Sequence, residues 1–129
     1  MERFVLVKKT AERTHTTPLV LVHGSWGSSA MWMTYAEVFS TKGWDVYAPD
    51  LRGHGKSGGS VAGATMENYV EDVRKAIVAH NLADPILVGH SMGGLVALMY
   101  AATHGAKAVV AIDPSPTKEV QGAGEKKEY

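Results

Sequence analysis

The sequence predicts an α/β fold: a doubly wound, mostly parallel open sheet with helices on both faces. Two observations carry this. Short apolar runs recur without the in–out alternation of a half-exposed strand, which suits central parallel strands covered on both sides. Between them lie longer windows with apolar residues at helical spacing, and alternation of strand and helix implies a parallel sheet. At 129 residues and 13.8 kDa the chain holds one domain with a modest core. The boundaries expected are residues 1–116 for that core and 117–129 for a polar tail, Thr117 to Tyr129, with no strand pattern.

Phe4-Val5-Leu6-Val7 reads as a short first strand. Pro18-Leu19-Val20-Leu21-Val22-His23 is a second, apolar throughout and bounded by Gly24. Ser28 and Ser29 are placed to cap a helix running to about Lys42, with Met31, Tyr35, Val38 and Phe39 on one side and Gly43 as its stop. Trp44-Asp45-Val46-Tyr47-Ala48-Pro49 is the next strand. Asp50 to Ser60 follows as a loop kept irregular by Gly and Ser. Thr65 begins a helix on which Tyr69, Val73, Ala76, Ile77 and His80 recur, with Asn68 where a capping box prefers Glu or Gln. Pro85-Ile86-Leu87-Val88 is a buried strand leading into Gly89-His90-Ser91-Met92-Gly93-Gly94. Leu95 to His104 is an apolar helix stopped by Gly105. Ala108-Val109-Val110-Ala111-Ile112 is the last strand, closed by Asp113-Pro114-Ser115-Pro116.

Composition narrows the function. Lys plus Arg and Asp plus Glu are 13 each, so the formal charge is zero, which leaves no electrostatic footprint for nucleic acid or an anionic membrane. There is no cysteine, which removes disulfides, thiol catalysis and thiolate metal sites. No apolar run approaches the roughly 20 residues that span a bilayer. The N-terminus, MERFVLVKKTAERTH, lacks a signal-peptide apolar region, and a cytoplasmic location is expected. The histidines lack the paired helical spacing of a metal site, so no metal is expected.

Gly89-His90-Ser91-Met92-Gly93 fits G-x-S-x-G and lies between an apolar strand and a helix, the setting of a nucleophile elbow. The turn is so tight that a Cβ at the glycines would clash, and Ser91 is forced into an unfavourable backbone conformation that presents its hydroxyl above the sheet. His23-Gly24-Ser25-Trp26 follows a strand end, where a loop can aim a backbone N–H at an oxyanion beside the N–H of Met92. His23 itself is read as shaping that loop. Gly55-Lys56-Ser57 is not a phosphate loop, because position 50 is Asp50 rather than Gly and no helix follows directly.

In that order, the His23-Gly24 pair, the run Asp50-Leu51-Arg52-Gly53-His54-Gly55-Lys56-Ser57 and the Gly89-to-Gly94 elbow resemble the alpha/beta-hydrolase superfamily. The likeness runs from about Phe4 to Pro116 and is nearest to the esterase, lipase, haloperoxidase-like and hydroxynitrile lyase-like branches. The resemblance implies Ser91 as nucleophile, oxyanion N–H groups from Ser25 and Met92, and a loop stabilised by Asp50, Arg52 and His54. It implies acyl transfer on a small ester or related carbonyl substrate, with no cofactor. It also implies a triad in the order serine, acid, histidine.

The histidine has no counterpart here. The six are His15, His23, His54, His80, His90 and His104, and the last lies near the end of the helix that Ser91 opens, some 15 Å away at about 1.5 Å per residue. Asp113, at the end of the final strand, is a candidate acid, though Asp-Pro is also a turn initiator. The chain is therefore expected to be the N-terminal half of a hydrolase, stopping where a cap would be inserted and weakly active or inactive in this short form for want of the triad histidine. An uncovered edge at 108–112 would then favour a homo-oligomer or a complementing C-terminal fragment. The alternatives are a small-molecule binding module, whose cleft Trp26, Met31, Trp32 and Met92 would line, and lyase or haloperoxidase-like chemistry on the same scaffold.

Overall fold

The computed structural model describes residues 1–116, so the expected tail at 117–129 lies outside the described residues. Five strands form one sheet: β1 (Val5–Lys8), β2 (Leu19–Val22), β3 (Val46–Pro49), β4 (Ile86–His90) and β5 (Ala108–Ile112), in the spatial order β1-β3-β2-β4-β5. The pairs β2–β3, β2–β4 and β4–β5 are parallel, and only β1 runs antiparallel, on β3. Strand order thus reverses direction between β2 and β4, and ligand sites of open α/β sheets form beyond the strand ends at such a point.

Among the described residues three α-helices cover the sheet: α1 (Met33–Thr41), α2 (Met66–Ala79) and α3 (Met92–His104). One core holds Val20, Val22, Tyr47 and Leu87 from the strands against Val73 and Ile77 of α2 and Val96 and Ala97 of α3. The opposite core holds Leu19, Leu21, Val46 and Ala48 against Trp32 and Ala36. β2 is buried along its whole length because it contributes to both, which is why its sequence does not alternate.

Several local expectations need correction. The segment after Ser28 opens as a 3-10 turn over Ser29–Trp32 before α1 begins, with the Ser28 side chain accepting from Ala30 N–H. The inward side is then Trp32, Ala36 and Ser40, with Phe39, as expected, partly buried against the same core, while Met31, Tyr35 and Val38 are exposed. A 3-10 turn advances about 120° per residue against 100° for the α-helix, so a face extrapolated as pure α-helix is rotated away. Trp32 is 2% exposed and sits in the core, so it cannot line a cleft. Asn68 does complete a capping box: its side chain accepts from Thr65 N–H (3.0 Å) while Thr65 Oγ1 accepts from Asn68 N–H (3.1 Å). The last helix starts at Met92, directly after Ser91, three residues before the expected Leu95.

β5 is an edge strand with one face covered. Val109 and Ala111 are partly buried, whereas Ala108, Val110 and Ile112 are exposed. No helix among the described residues is long and apolar enough to cross a membrane.

Candidate active site

Ser91 joins β4 to α3 with φ 55° and ψ −121°, a conformation that costs an L-residue of order 1–3 kcal/mol. Packing holds it there. A Cβ on Gly89 would be driven into the Gly93 carbonyl, and one on Gly93 into the carbonyls of Val22 and His23. Backbone bonds fix the turn further: Ser91 N–H donates to the Ile112 carbonyl (3.0 Å), and the Ser91 carbonyl accepts from Gly94 (2.9 Å) and Ser115 (3.0 Å). The side chain is half-buried, and among the described residues its hydroxyl has no hydrogen-bond partner.

The loop after β2 lies against this turn. A Cβ on Gly24 would stand 3.2 Å from Ser91 Cβ and 3.1 Å from the His90 carbonyl, so only glycine lets the two loops meet so closely. Ser25 follows, and its hydroxyl donates to the Met92 sulfur at 3.1 Å. That contact brings together the two residues expected to offer backbone N–H groups to an oxyanion. Met92 is the first residue of α3, where the N–H has no partner within the helix and the helix dipole adds partial positive charge. Met92 is buried, so its side chain does not line a cleft. Trp26 is 78% exposed and held at φ 64°.

The loop after β3 supports this arrangement from below. Asp50 is buried, and its carboxylate accepts from Ser29 N–H (2.6 Å) and Lys56 N–H (2.9 Å). His23 is fully buried, and its Nε2 accepts from Leu51 N–H (3.0 Å). The proton therefore sits on Nδ1, which donates to the Gly24 carbonyl (2.7 Å). Burial pushes the His23 pKa below its ordinary 6.5, with a smaller upward pull from the Gly24 carbonyl. His23 is thus a neutral brace with both nitrogens engaged, as the sequence suggested, and has no lone pair left to act as a base. Since the unfolded chain binds that proton near pH 6.5 and the native state resists it, stability is complete above that pH and declines below it. Urea midpoints measured between pH 7.5 and 5 are expected to fall as pH drops, and His23→Gln should flatten that trend.

Three of the other histidines pack on aromatic rings away from this turn. His15 stacks on Trp44, His80 packs on Tyr47, and His104 stacks on Tyr100 at the far end of α3. His54 Nδ1 donates to the Arg52 carbonyl (2.9 Å). His90 is half-buried beside Gly24. Asp113 lies at the end of β5 with φ 44° and is exposed. Among the described residues it makes neither an ion pair nor a hydrogen bond, and no group of three or more His, Asp or Glu could hold a metal ion.

One residue escaped the sequence reading. Asp72, on α2, is 3% exposed and binds Arg52 through its N–H (3.0 Å), Nε (3.0 Å) and Nη2 (2.9 Å), with Arg3 as a second cation. A signal was present: a carboxylate beside Val73, on the face that carries Tyr69 and Ala76, stands at a buried helical position. Burial alone would raise the Asp72 pKa, but the hydrogen bonds from Arg52 and Arg3 outweigh it and hold it below the usual value.

The strained serine at a strand–helix turn and the loop packed on it define a class of protein, and comparison identifies that class. The model of the alpha/beta hydrolase fold matches residues 17–127, so the chain belongs to that family. It is 40% identical over 90 residues to a non-heme haloperoxidase of Rhodococcus erythropolis, covering 69% of this chain and 32% of the relative. It is 38% identical over 100 residues to a probable alcohol acetyltransferase of Saccharomyces cerevisiae, covering 72% of this chain and 28% of the relative. Among solved structures, a carboxylesterase of Nitrososphaera gargenis superposes with TM-score 0.78 at 30% identity, over 90% of this chain and 43% of that one. A monoacylglycerol lipase of Paleococcus ferrophilus gives 0.77 at 32%, over 95% of this chain and 50% of that one. The chain thus spans half or less of each of these relatives.

Proposed function

We propose that this chain carries the acyl-transfer half of an ester-hydrolysing site, with Ser91 as nucleophile. The observation that carries the reading is the strained Ser91 turn, wedged against Gly24 beside the residues Ser25 and Met92. In this reading Ser91 Oγ attacks the acyl carbon and loses its proton to a base. The carbonyl oxygen gains the negative charge, stabilised by the N–H groups of Ser25 and Met92, which act at the point where charge develops. The tetrahedral intermediate then expels the alcohol, reprotonated by the same base, and water releases the acyl group.

No histidine among the described residues hydrogen-bonds the Ser91 hydroxyl. That base would come from polypeptide outside the described residues, in the same protein or in a partner. Asp113, beside Ser91 at the end of β5, would orient it. The exposed Val110 and Ile112 on β5 suit pairing with that polypeptide or with a second copy. Trp26 would meet the substrate at the mouth of the site.

An alkyl fluorophosphonate tests the nucleophile. Oxyanion stabilisation and binding alone leave roughly 10³–10⁴-fold catalysis over water when a triad is broken. Slow labelling confined to Ser91 is therefore expected on the chain alone, and Ser91→Ala should abolish it. Label spread over surface hydroxyls, or unchanged in Ser91→Ala, would overturn the assignment.

A further inference from the structure

We infer that Asp72 is a positioning residue for the oxyanion loop, acting through Arg52, Leu51 and His23. Its bearing on catalysis rests on the function proposed above, whereas the geometry stands apart from it. The chain of contacts is short. Asp72 accepts both the backbone N–H and the guanidinium of Arg52, which fixes the peptide that follows Leu51. Leu51 N–H lies on the adjoining peptide, whose Asp50 carbonyl accepts from Ser57 Oγ (2.7 Å), and it donates to His23 Nε2, so the Leu51 backbone joins the peptide that Asp72 holds to the one that faces His23. That bond selects the tautomer protonated at Nδ1, and Nδ1–H in turn holds the Gly24 carbonyl. With its carbonyl oxygen held by His23 Nδ1–H (2.7 Å) and by Gly27 N–H (3.1 Å), Gly24 leaves the N–H of the same peptide, that of Ser25, turned away from His23. A buried carboxylate on α2 therefore reaches the Ser91 loop through two successive backbone amides, those of Arg52 and Leu51, and one imidazole.

A residue that merely anchors the β3 loop would not set the tautomer of a histidine it never touches. The test is imidazole nitrogen NMR on the 129-residue chain, with amide hydrogen exchange in the same samples. The wild type is expected to show His23 as the single neutral tautomer protonated at Nδ1, with a slowly exchanging Leu51 amide. Asp72→Ala should convert His23 to a mixture of tautomers. It should also speed Leu51 exchange by about tenfold or more, with Val20 to Val22 unaffected, as for local rather than global opening. Asp72→Asn keeps an oxygen for Arg52 N–H and should fall between the two. If Asp72→Ala does not fold, Asp72→Asn and Arg52→Ala give the same readouts. Folded variants with wild-type His23 tautomer and Leu51 exchange would overturn the proposal. Phosphonate labelling at Ser91 is a separate measurement, so failure of the nucleophile and failure of this relay are distinguishable.

Discussion

Gly93→Ala is expected to be the most damaging single methyl group that can be added to this chain. The new Cβ would collide with the carbonyls of Val22 and His23 at the end of the central strand. These atoms are backbone, so no rotamer change relieves the overlap. Either α3 lifts from the sheet or β2 shifts, and both movements open the core around Val22, Met92 and Val96. Overpacking of a core ordinarily costs 1–3 kcal/mol, and a backbone collision belongs at or beyond the top of that range. Against a total stability of order 5–15 kcal/mol for a domain, a loss of about 3 kcal/mol or more is a large fraction. Urea denaturation followed by tryptophan fluorescence reads it directly. The expected outcome is a collapsed midpoint or insoluble protein, and a midpoint within about 0.5 kcal/mol of wild type would refute the packing argument. Gly63→Ala is the control, since nothing lies within 4 Å of its added Cβ. Its φ of 72° predicts only the modest cost of a left-handed alanine, about 1 kcal/mol.

Asp50→Ala is expected to have the next largest effect, and through a different term. The carboxylate ties the start of the Ser29–Trp32 turn to the β3 loop, one oxygen on Ser29 N–H and the other on Lys56 N–H. Gly55 packs so closely that a Cβ there would enter the carboxylate. Removing the side chain strands two backbone donors, one of them buried with Ser29. Each unsatisfied buried group costs about 1–3 kcal/mol, reduced where water can reach the more exposed Lys56 amide. A net loss of about 2–4 kcal/mol is expected on that basis. Asp50→Asn keeps one acceptor and presents an amine to the other donor, so it should recover about half of the loss. Equal stability of Asp50→Ala and wild type would show that the loop holds its shape without the carboxylate.

Much of this molecule was legible in its sequence. β2 announced itself as an unalternating apolar run because a parallel strand between two helical layers has no exposed face, whereas β4, read the same way, alternates between buried and partly buried residues. Ser91 was legible because the turn admits no Cβ at Gly89 or Gly93, and a steric requirement of that kind leaves a fixed glycine spacing. The covered face of the helix after Ser28 was not legible. Its 3-10 opening depends on the Asp50 carboxylate holding Ser29 N–H, a partner 21 residues away. The order of the His23-Gly24, Asp50-to-Ser57 and Gly89-to-Gly94 motifs points to the family by itself, and the match over residues 17–127 agrees with it.

By itself the sequence determined the fold class, the order of most elements and the strained turn, because each follows from local sterics or from periodicity over a few residues. Only the tertiary structure decided which nitrogen of His23 carries the proton, that Asp72 holds Arg52, and that Ser25 meets Met92. Those facts belong to pairs of groups 20 to 67 residues apart, apart from the His23–Gly24 contact that the Leu51 amide makes possible. A hydrogen bond between distant residues leaves no periodic trace in the chain. Its geometry exists only once the sheet has brought the ends of β2, β3 and β4 together.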